Sequence, residues 1–193
     1  CGPGARLLLG SQANTRVYRS QGAVAGMALD ARLRDGSLAV AWPDPIVPHA
    51  DSRFRQRQHW RLTPSARLIL AETFVAGRLG TGERFAFDDF DSEVRISVEN
   101  RLVLVDRLAL EPARRDPAAP GAFGDCAALM TIYFAGLALE SHARALEAEA
   151  VRLEAERAGG IVQSCAPFKN VGWILRVAAF DLEALAPLRR RMA

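Results

Sequence analysis

The chain has 193 residues, half of them hydrophobic and 24% charged, with a formal net charge of +3. That composition excludes a globally disordered chain, and the length suits one domain that can bury roughly 70% of its unfolded surface without staples. Charges of both signs are interleaved with no block of five or more, so neither a basic nucleic-acid arm nor an acidic tail is present. No apolar run approaches the roughly 20 residues of a membrane span, and no basic-then-apolar secretion signal is visible.

The three cysteines, Cys1, Cys126 and Cys165, are odd in number and widely spaced, with no CxxC pair. They support neither a zinc site nor a disulfide framework, and a reducing cytosol is the simplest compartment. The chain opens on Cys rather than Met, and Ala5-Arg6-Leu7-Leu8-Leu9 already reads as a strand, which predicts a start inside a larger reading frame.

The first 111 residues read as β. Met27, Leu29, Ala31 and Leu33 alternate with more polar neighbours, Asp35-Gly36 follows, and Leu38, Val40 and Trp42 resume the alternation. That pattern predicts a hairpin, because Asp-Gly suits a type I′ turn. Strands over Gln56–Leu62 and Arg67–Val75 flank the turn cluster Thr63-Pro64-Ser65. A second hairpin is predicted over Glu93–Leu110, turning at Glu99-Asn100. With no helical crossover in sight, a doubly wound parallel sheet is excluded in favour of a sandwich, barrel or solenoid. No repeat of fixed period is visible.

Residues 112–124, rich in Pro, Ala and Gly, read as a loop. The composition then turns to Ala, Leu, Glu and Arg, predicting a helical segment over 125–158, capped by Asp125, as one helix or two broken near Gly136 or Ser141. Glu140/Arg144, Glu149/Arg152 and Glu154/Arg157 are spaced to pair along it, and Gly159-Gly160 ends it. A closing hairpin, Ile161–Ala166 with Gly172–Phe180, and a short helix, Leu182–Arg191, complete a single domain. Its terminal Arg189-Arg190-Arg191 reads as a solvated helix end favoured by the helix dipole.

Catalytic patterns are missing. His49, His59 and His142 show no HxH or HExxH spacing, and there is no GxSxG elbow or P-loop. Gly80-Thr81-Gly82 is too short to cradle phosphate and reads as a turn, and Cys126 reads as a buried structural thiol. Two acids stand out. Asp44 lies between two prolines in a rigid turn, where turn-making alone accounts for it. Glu72 shares one strand face with Leu68, Leu70 and Phe74. A carboxylate in that row must pair, for example with an arginine at an edge, or line a polar passage.

Three stretches carry a family resemblance. Ser11-Gln12-Ala13-Asn14-Thr15-Arg16-Val17-Tyr18-Arg19-Ser20, Pro43-Asp44-Pro45-Ile46-Val47-Pro48-His49-Ala50-Asp51-Ser52-Arg53-Phe54 and Ala76-Gly77-Arg78-Leu79-Gly80-Thr81-Gly82-Glu83-Arg84-Phe85 occur in order. Together they resemble the motifs of the urease accessory protein family UreD, also called UreH. The segment from Ala166-Pro167 through Gly172–Val177 is similar to that family's closing hairpin. The chain departs from the pattern at Ser11, Asn14, Val40 and His49, where the family has Thr, Ala, often Glu, and Phe. It also resembles a member lacking the N-terminal part.

The resemblance implies a mostly β fold, layered and solenoid-like with antiparallel and mixed strands, plus a C-terminal helical pair and the closing hairpin. It implies a cytoplasmic, non-enzymatic scaffold that binds apo-urease and UreF, with the GTPase UreG docking through UreF, and no nucleic-acid or membrane partner. It implies no tightly bound cofactor, only nickel(II) passing transiently through internal tunnels, for which imidazole and carboxylate are suitable labile ligands. Asp44, His49, Glu72 and Glu83 are then the candidates to line such a passage or to be structural polar residues. Gly77 and Gly82 are expected to form turns, and Arg78 to pair with Glu72 or Glu83. The alternative from the residues alone is a β-rich interaction module with no metal role.

Overall fold

The computed structural model describes residues 1–156 and 160–190. Twelve strands are found among them, in two stacked sheets, with helices on one side.

The chain begins with β1 (Arg6–Gly10), β2 (Thr15–Val17) and β3 (Ala25–Leu33), then β4 (Leu38–Trp42) and β5 (Ile46–Pro48). There follow β6 (Arg53–Leu62), β7 (Arg67–Val75), β8 (Asp89–Val98) and β9 (Arg101–Leu110). Beyond the loop come β10 (Ala128–Ala135), α1 (Glu140–Glu156), β11 (Ile161–Phe168), β12 (Gly172–Ala179) and α2 (Ala186–Arg190). One sheet runs β1-β4-β7-β10-β12-β11, with β2 and β5 at its margin, and the other β3-β6-β8-β9.

The first half winds as a β-coil. β1, β4 and β7 are parallel neighbours in one sheet, and β3, β6 and β8 parallel neighbours in the other. The chain therefore changes sheet at almost every turn, and parallel pairs form without helical crossovers. Arg6 lies opposite Leu38, and Leu38 opposite Arg67. Successive coils thus differ in length, which is why no fixed repeat is legible in the sequence.

This winding corrects the first predicted hairpin. β3 and β4 do not pair; they lie in different sheets, joined by an arch through Asp35-Gly36. Only Gly36 has positive φ (68°), whereas a type I′ turn needs both central residues there. Gly36 N donates to Ser65 Oγ at 3.0 Å in the next arch, between β6 and β7. The Glu93–Leu110 hairpin forms as expected, β8 against β9, with Glu99 and Asn100 both at positive φ (49° and 62°). The closing hairpin β11/β12 forms too, turning through Lys169 and Asn170 at φ 49° and 51°.

The predicted helix over 125–158 is corrected as well. Ala128–Ala135 is a central strand between β7 and β12, a single 3-10 turn covers Leu137–Leu139, and the helix proper begins at Glu140, so Asp125 caps nothing there. The strand is buried on both faces, which erases the alternation that would have marked it. Met130, Ile132 and Phe134 pack with Ala143, Leu146, Ala150 and Leu153 of α1, while Tyr133 and Ala135 join Leu68, Leu70, Trp60 and Val94 between the sheets. Along α1 the Glu140/Arg144 and Glu149/Arg152 pairs form at 3.9 and 2.5 Å. The expected end of this helix, the Gly159 stop, the Glu154/Arg157 pair and Arg191 lie outside the described residues.

The short C-terminal helix is a 3-10 turn, Glu183–Leu185, running into α2. Arg189 is not simply solvated, since its guanidinium reaches Asp44. No helix among the described residues is long and apolar enough to cross a membrane.

Candidate functional site

The three motif segments meet at one end of the β-coil. β2 lies parallel to β5, with Thr15 opposite Ile46 and Val17 opposite Pro48. His49 N donates to Val17 O (2.9 Å), Ser20 N to Asp51 O (3.0 Å) and Asp51 N to Ala86 O (3.0 Å). Arg53 N donates to Ser20 Oγ (2.8 Å), and Ser52 Oγ to His49 O (2.7 Å). Phe54 is buried against Phe90, and Phe74, Phe85 and Phe87 join the same aromatic cluster. Gln12 is exposed in the first loop.

Arg78 and Glu83 are joined in a two-pronged ion pair across the single turn Leu79–Thr81. That turn closes at Gly82, in the left-handed conformation at φ 80°, and opens after Gly77, at φ 139°. Both glycines are turn formers, and the Arg78 partner is Glu83, not Glu72. The Arg78 hydrogen bonds hold the Glu83 carboxyl down at about 2, and Ala50 N also donates to it at 3.2 Å. Tyr18 stands edge-on to His49 at 5.0 Å and is itself exposed, while Arg19 pairs with Asp51. Burial, then the nearby Arg78 cation, pushes the His49 imidazole below its usual range.

Asp44 lies away from this cluster, in the rigid turn Pro43-Asp44-Pro45 between β4 and β5. Its Oδ2 accepts from Ser11 Oγ (3.0 Å), its N–H donates to the same Oγ (2.7 Å), and its Oδ1 accepts from Arg189 Nη2 (2.8 Å). Both carboxylate oxygens of Asp44 are thus engaged within the fold.

Glu72 occupies the centre of the fold. The β7 alternation turns it toward the space between the sheets, as expected, yet no arginine among the described residues bonds to it. Its Oε1 instead accepts from the amides of Gln56 and Gln58, the latter at 2.7 Å, and from Ser92 Oγ at 3.2 Å. Trp60 Nε1 donates to Gln58 Oε1 (3.0 Å), fixing that amide so its NH₂ points at the acid. All three donors converge on one oxygen, leaving Oε2 outside this set. Burial raises the Glu72 carboxyl to about 7, and the Asp106 charge adds to that; the three neutral donors only partly offset it.

Two cavities adjoin this residue. One, of about 240 Å³, lies between β1, β4 and β7 on one sheet and β3 and β6 on the other, with Ser11 and Asp44 at its wall. The second, of about 90 Å³, lies between β7, β10 and β12 and the facing β8 and β9. Both are lined by Ile46, Glu72 and Thr73, so β7 forms much of their common wall, and among the described residues Glu72 is the only acid that lines both. The far cavity holds Asp106, which accepts from Tyr133 Oη (2.8 Å) and pairs with Arg176 (2.7 Å). Sequence position alone singles out none of the three, although Asp106 falls on the inward phase with Leu104 and Leu108 and carries the same signal as Glu72.

The structure does not gather the four candidates into one site. Glu83 and His49 are neighbours, Asp44 and Glu72 share a cavity, and the two pairs are separate. Among the described residues, no three His, Cys, Asp or Glu side chains come together to hold a metal. Cys126 is buried, and burial pushes its thiol up, as suits a structural role.

Comparison with known proteins adds the family. The model of the UreD urease accessory protein family matches residues 1–193. The chain is 39% identical over its whole length to the urease accessory protein UreD of Anaeromyxobacter sp. (strain Fw109-5), covering 64% of that protein. It is 40% identical over 189 residues to that of Sorangium cellulosum, covering 98% of the chain and 59% of the relative. A third, from Cytophaga hutchinsonii, is 39% identical over 127 residues, 65% of the chain and 45% of the relative. The chain thus spans about three-fifths of the length of the first two relatives.

Proposed function

Because the chain belongs to the UreD urease accessory protein family, we propose that it serves urease maturation as a non-enzymatic scaffold between apo-urease and UreF, with UreG docking through UreF, assisting nickel delivery. The observation that carries the nickel part is the position of Glu72 at the common wall of two cavities between the sheets.

The chemistry suits a cargo that must be released. The Glu72 carboxylate, held by neutral amides and a hydroxyl, has no bonded cation to displace among the described residues, and its Oε2, outside that set of bonds, offers one labile oxygen to a divalent ion. A carboxyl near pH 7 exchanges a proton for a metal at little cost in either direction, whereas one locked to arginine, as Asp44 and Glu83 are, must first break an ion pair. One carboxylate also binds nickel weakly compared with a closed imidazole or thiolate set. We therefore assign Glu72 to the passage and Asp44, His49 and Glu83 to holding the coil loops in register.

Co-expression with a urease operon lacking its own UreD tests the reading, with urease activity and bound nickel as readouts. Restored activity with nickel-loaded urease supports it. Soluble chain that pulls down UreF or apo-urease without raising nickel content refutes the delivery role and leaves an interaction module without a metal function.

A further inference from the structure

Strand β6 carries a second pattern that the maturation reading does not use. Its even positions Phe54, Gln56, Trp60 and Leu62 are buried toward the facing sheet. Its odd positions therefore place Arg53, Arg55, Arg57 and Arg61 on the outer face. This face lies opposite the side of the molecule that α1 and α2 cover.

The acids on that face lie beneath the arginines. Arg55 stands opposite Asp91 on β8, and Glu93 stands opposite both Arg57 on β6 and Arg107 on β9. The Asp91 side chain is only 5% exposed and is shared by three guanidiniums: Arg107 (Nε at 2.7 Å), Arg57, and Arg55 at 3.6 Å. Burial alone would raise the Asp91 carboxyl, but the Arg107 and Arg57 hydrogen bonds outweigh it and hold it at about 2. Arg95 similarly covers Glu93. The cations above remain open, with Arg55, Arg95 and Arg107 each slightly more than half exposed.

Two carboxylate oxygens cannot saturate three guanidiniums that carry five donors each. Solvent therefore meets a layer of unspent N–H donors over a buried anion. Beside it on β9, Leu102 and Val105 are exposed apolar residues. Arginine next to apolar contact area is the composition of a protein-binding hot spot. Nucleic acid fits less well. Asp30, Asp89 and Glu93 are interspersed among the arginines, and an aromatic ring on the face, His59, is tied to Ser97 at 2.9 Å rather than free to stack on a base.

We infer that the outer face of the β3-β6-β8-β9 sheet docks a carboxylate-rich protein surface within the urease maturation assembly. This rests on the maturation reading. The guanidinium layer supplies charge complementarity and on-rate, and Leu102 and Val105 supply the dry contact.

The test immobilises the full chain and presents purified apo-urease, UreF and UreG separately, with an RNA homopolymer as a fourth probe. One protein should bind, and its affinity should fall about tenfold or more between about 0.05 and about 0.5 M salt, as the Debye length shrinks. The double variant Arg55→Glu/Arg95→Glu should weaken the same partner by more than about tenfold, and Arg55→Lys/Arg95→Lys should retain most of the binding. Should the reversal variant fail to fold, the salt titration of the unaltered chain decides. Binding indifferent to salt and to charge reversal overturns the docking face while leaving the maturation reading intact. Binding of RNA alone overturns the choice of partner, and binding of none of the three proteins overturns the maturation reading together with the face.

Discussion

Asp44 and Arg189 are 145 positions apart in the sequence and meet at 2.8 Å, tying the last helix to the turn between two prolines. Both side chains are about three-quarters buried, so the pair is better shielded than a surface salt bridge. Arg189→Ala should cost about 1 kcal/mol, a loss of roughly 2–4 °C in melting temperature. Asp44→Ala should cost more, because the Ser11 hydroxyl loses its acceptor, keeping only the backbone N–H of residue 44, and the sheltered Arg189 is left without an anion. Thermal unfolding of the two variants checks the order. Equal, negligible losses would mean that the clamp contributes nothing to stability.

Gly77 and Gly82 bracket the Arg78–Glu83 turn but differ in the space around them. A Cβ on Gly77 would sit 2.8 Å from Glu83 O, at a φ of 139° that side chains avoid; a Cβ on Gly82 meets nothing within 4 Å. Gly77→Ala should therefore destabilise by roughly 2 kcal/mol or more, and Gly82→Ala by about 1 kcal/mol, from the left-handed backbone alone. Chemical denaturation of both variants gives the comparison, and a larger loss at Gly82 would contradict it.

The Tyr133–Asp106–Arg176 triad closes the smaller cavity. Tyr133→Phe removes one hydrogen bond and leaves Asp106 paired with Arg176, so about 1 kcal/mol is expected. Asp106→Ala strands the buried Tyr133 hydroxyl, while the Arg176 guanidinium, 44% exposed, can turn to solvent, and a loss of roughly 2 kcal/mol is expected. Denaturant midpoints that place Tyr133→Phe above Asp106→Ala in cost would show the triad to be assigned wrongly.

The Glu72 carboxyl gives the fold a pH dependence of definite sign. Its pKa rises from 4.5 to about 7 on folding, so the folded chain holds the proton more tightly than the unfolded chain. Between those values the unfolded state binds fewer protons, and stability falls as pH rises. The contribution is fully present below about 4.5 and lost by about 7 to 8. Glu72→Gln, whose amide oxygen can keep the three donors, should remove this slope. Relative to the unaltered chain it should gain on the order of 2 kcal/mol between pH 5 and pH 8. Unfolding measured across that range tests the sign directly. Parallel curves for the two proteins would mean that Glu72 titrates normally.

Local signals in the sequence suffice where a local interaction decides the structure. Glu99-Asn100 turns a hairpin because two consecutive residues there adopt positive φ. Asp35-Gly36 carries an equally good turn dipeptide but makes an arch, since strand pairing is decided by the partners β6, β1 and β7 and not by the turn. Ala128–Ala135 hid as a helix because both of its faces are buried. Within the site, alternation aimed Glu72 inward, yet its donors Gln56, Gln58 and Ser92 come from the opposite sheet, and sequence position gives no hint of that contact. The arginine face leaves no like-charge run in the sequence, because Arg53, Arg55, Arg57 and Arg61 are separated by inward-facing residues and by His59.

The most direct test of the account is the nickel content of urease matured with Glu72→Ala in place of the unaltered chain. Pulldown of UreF and apo-urease is measured in the same cells. Intact assembly with clearly lower nickel per urease and a matching drop in activity is expected. Unchanged nickel in a fully assembled complex would contradict the assignment of Glu72 to the passage.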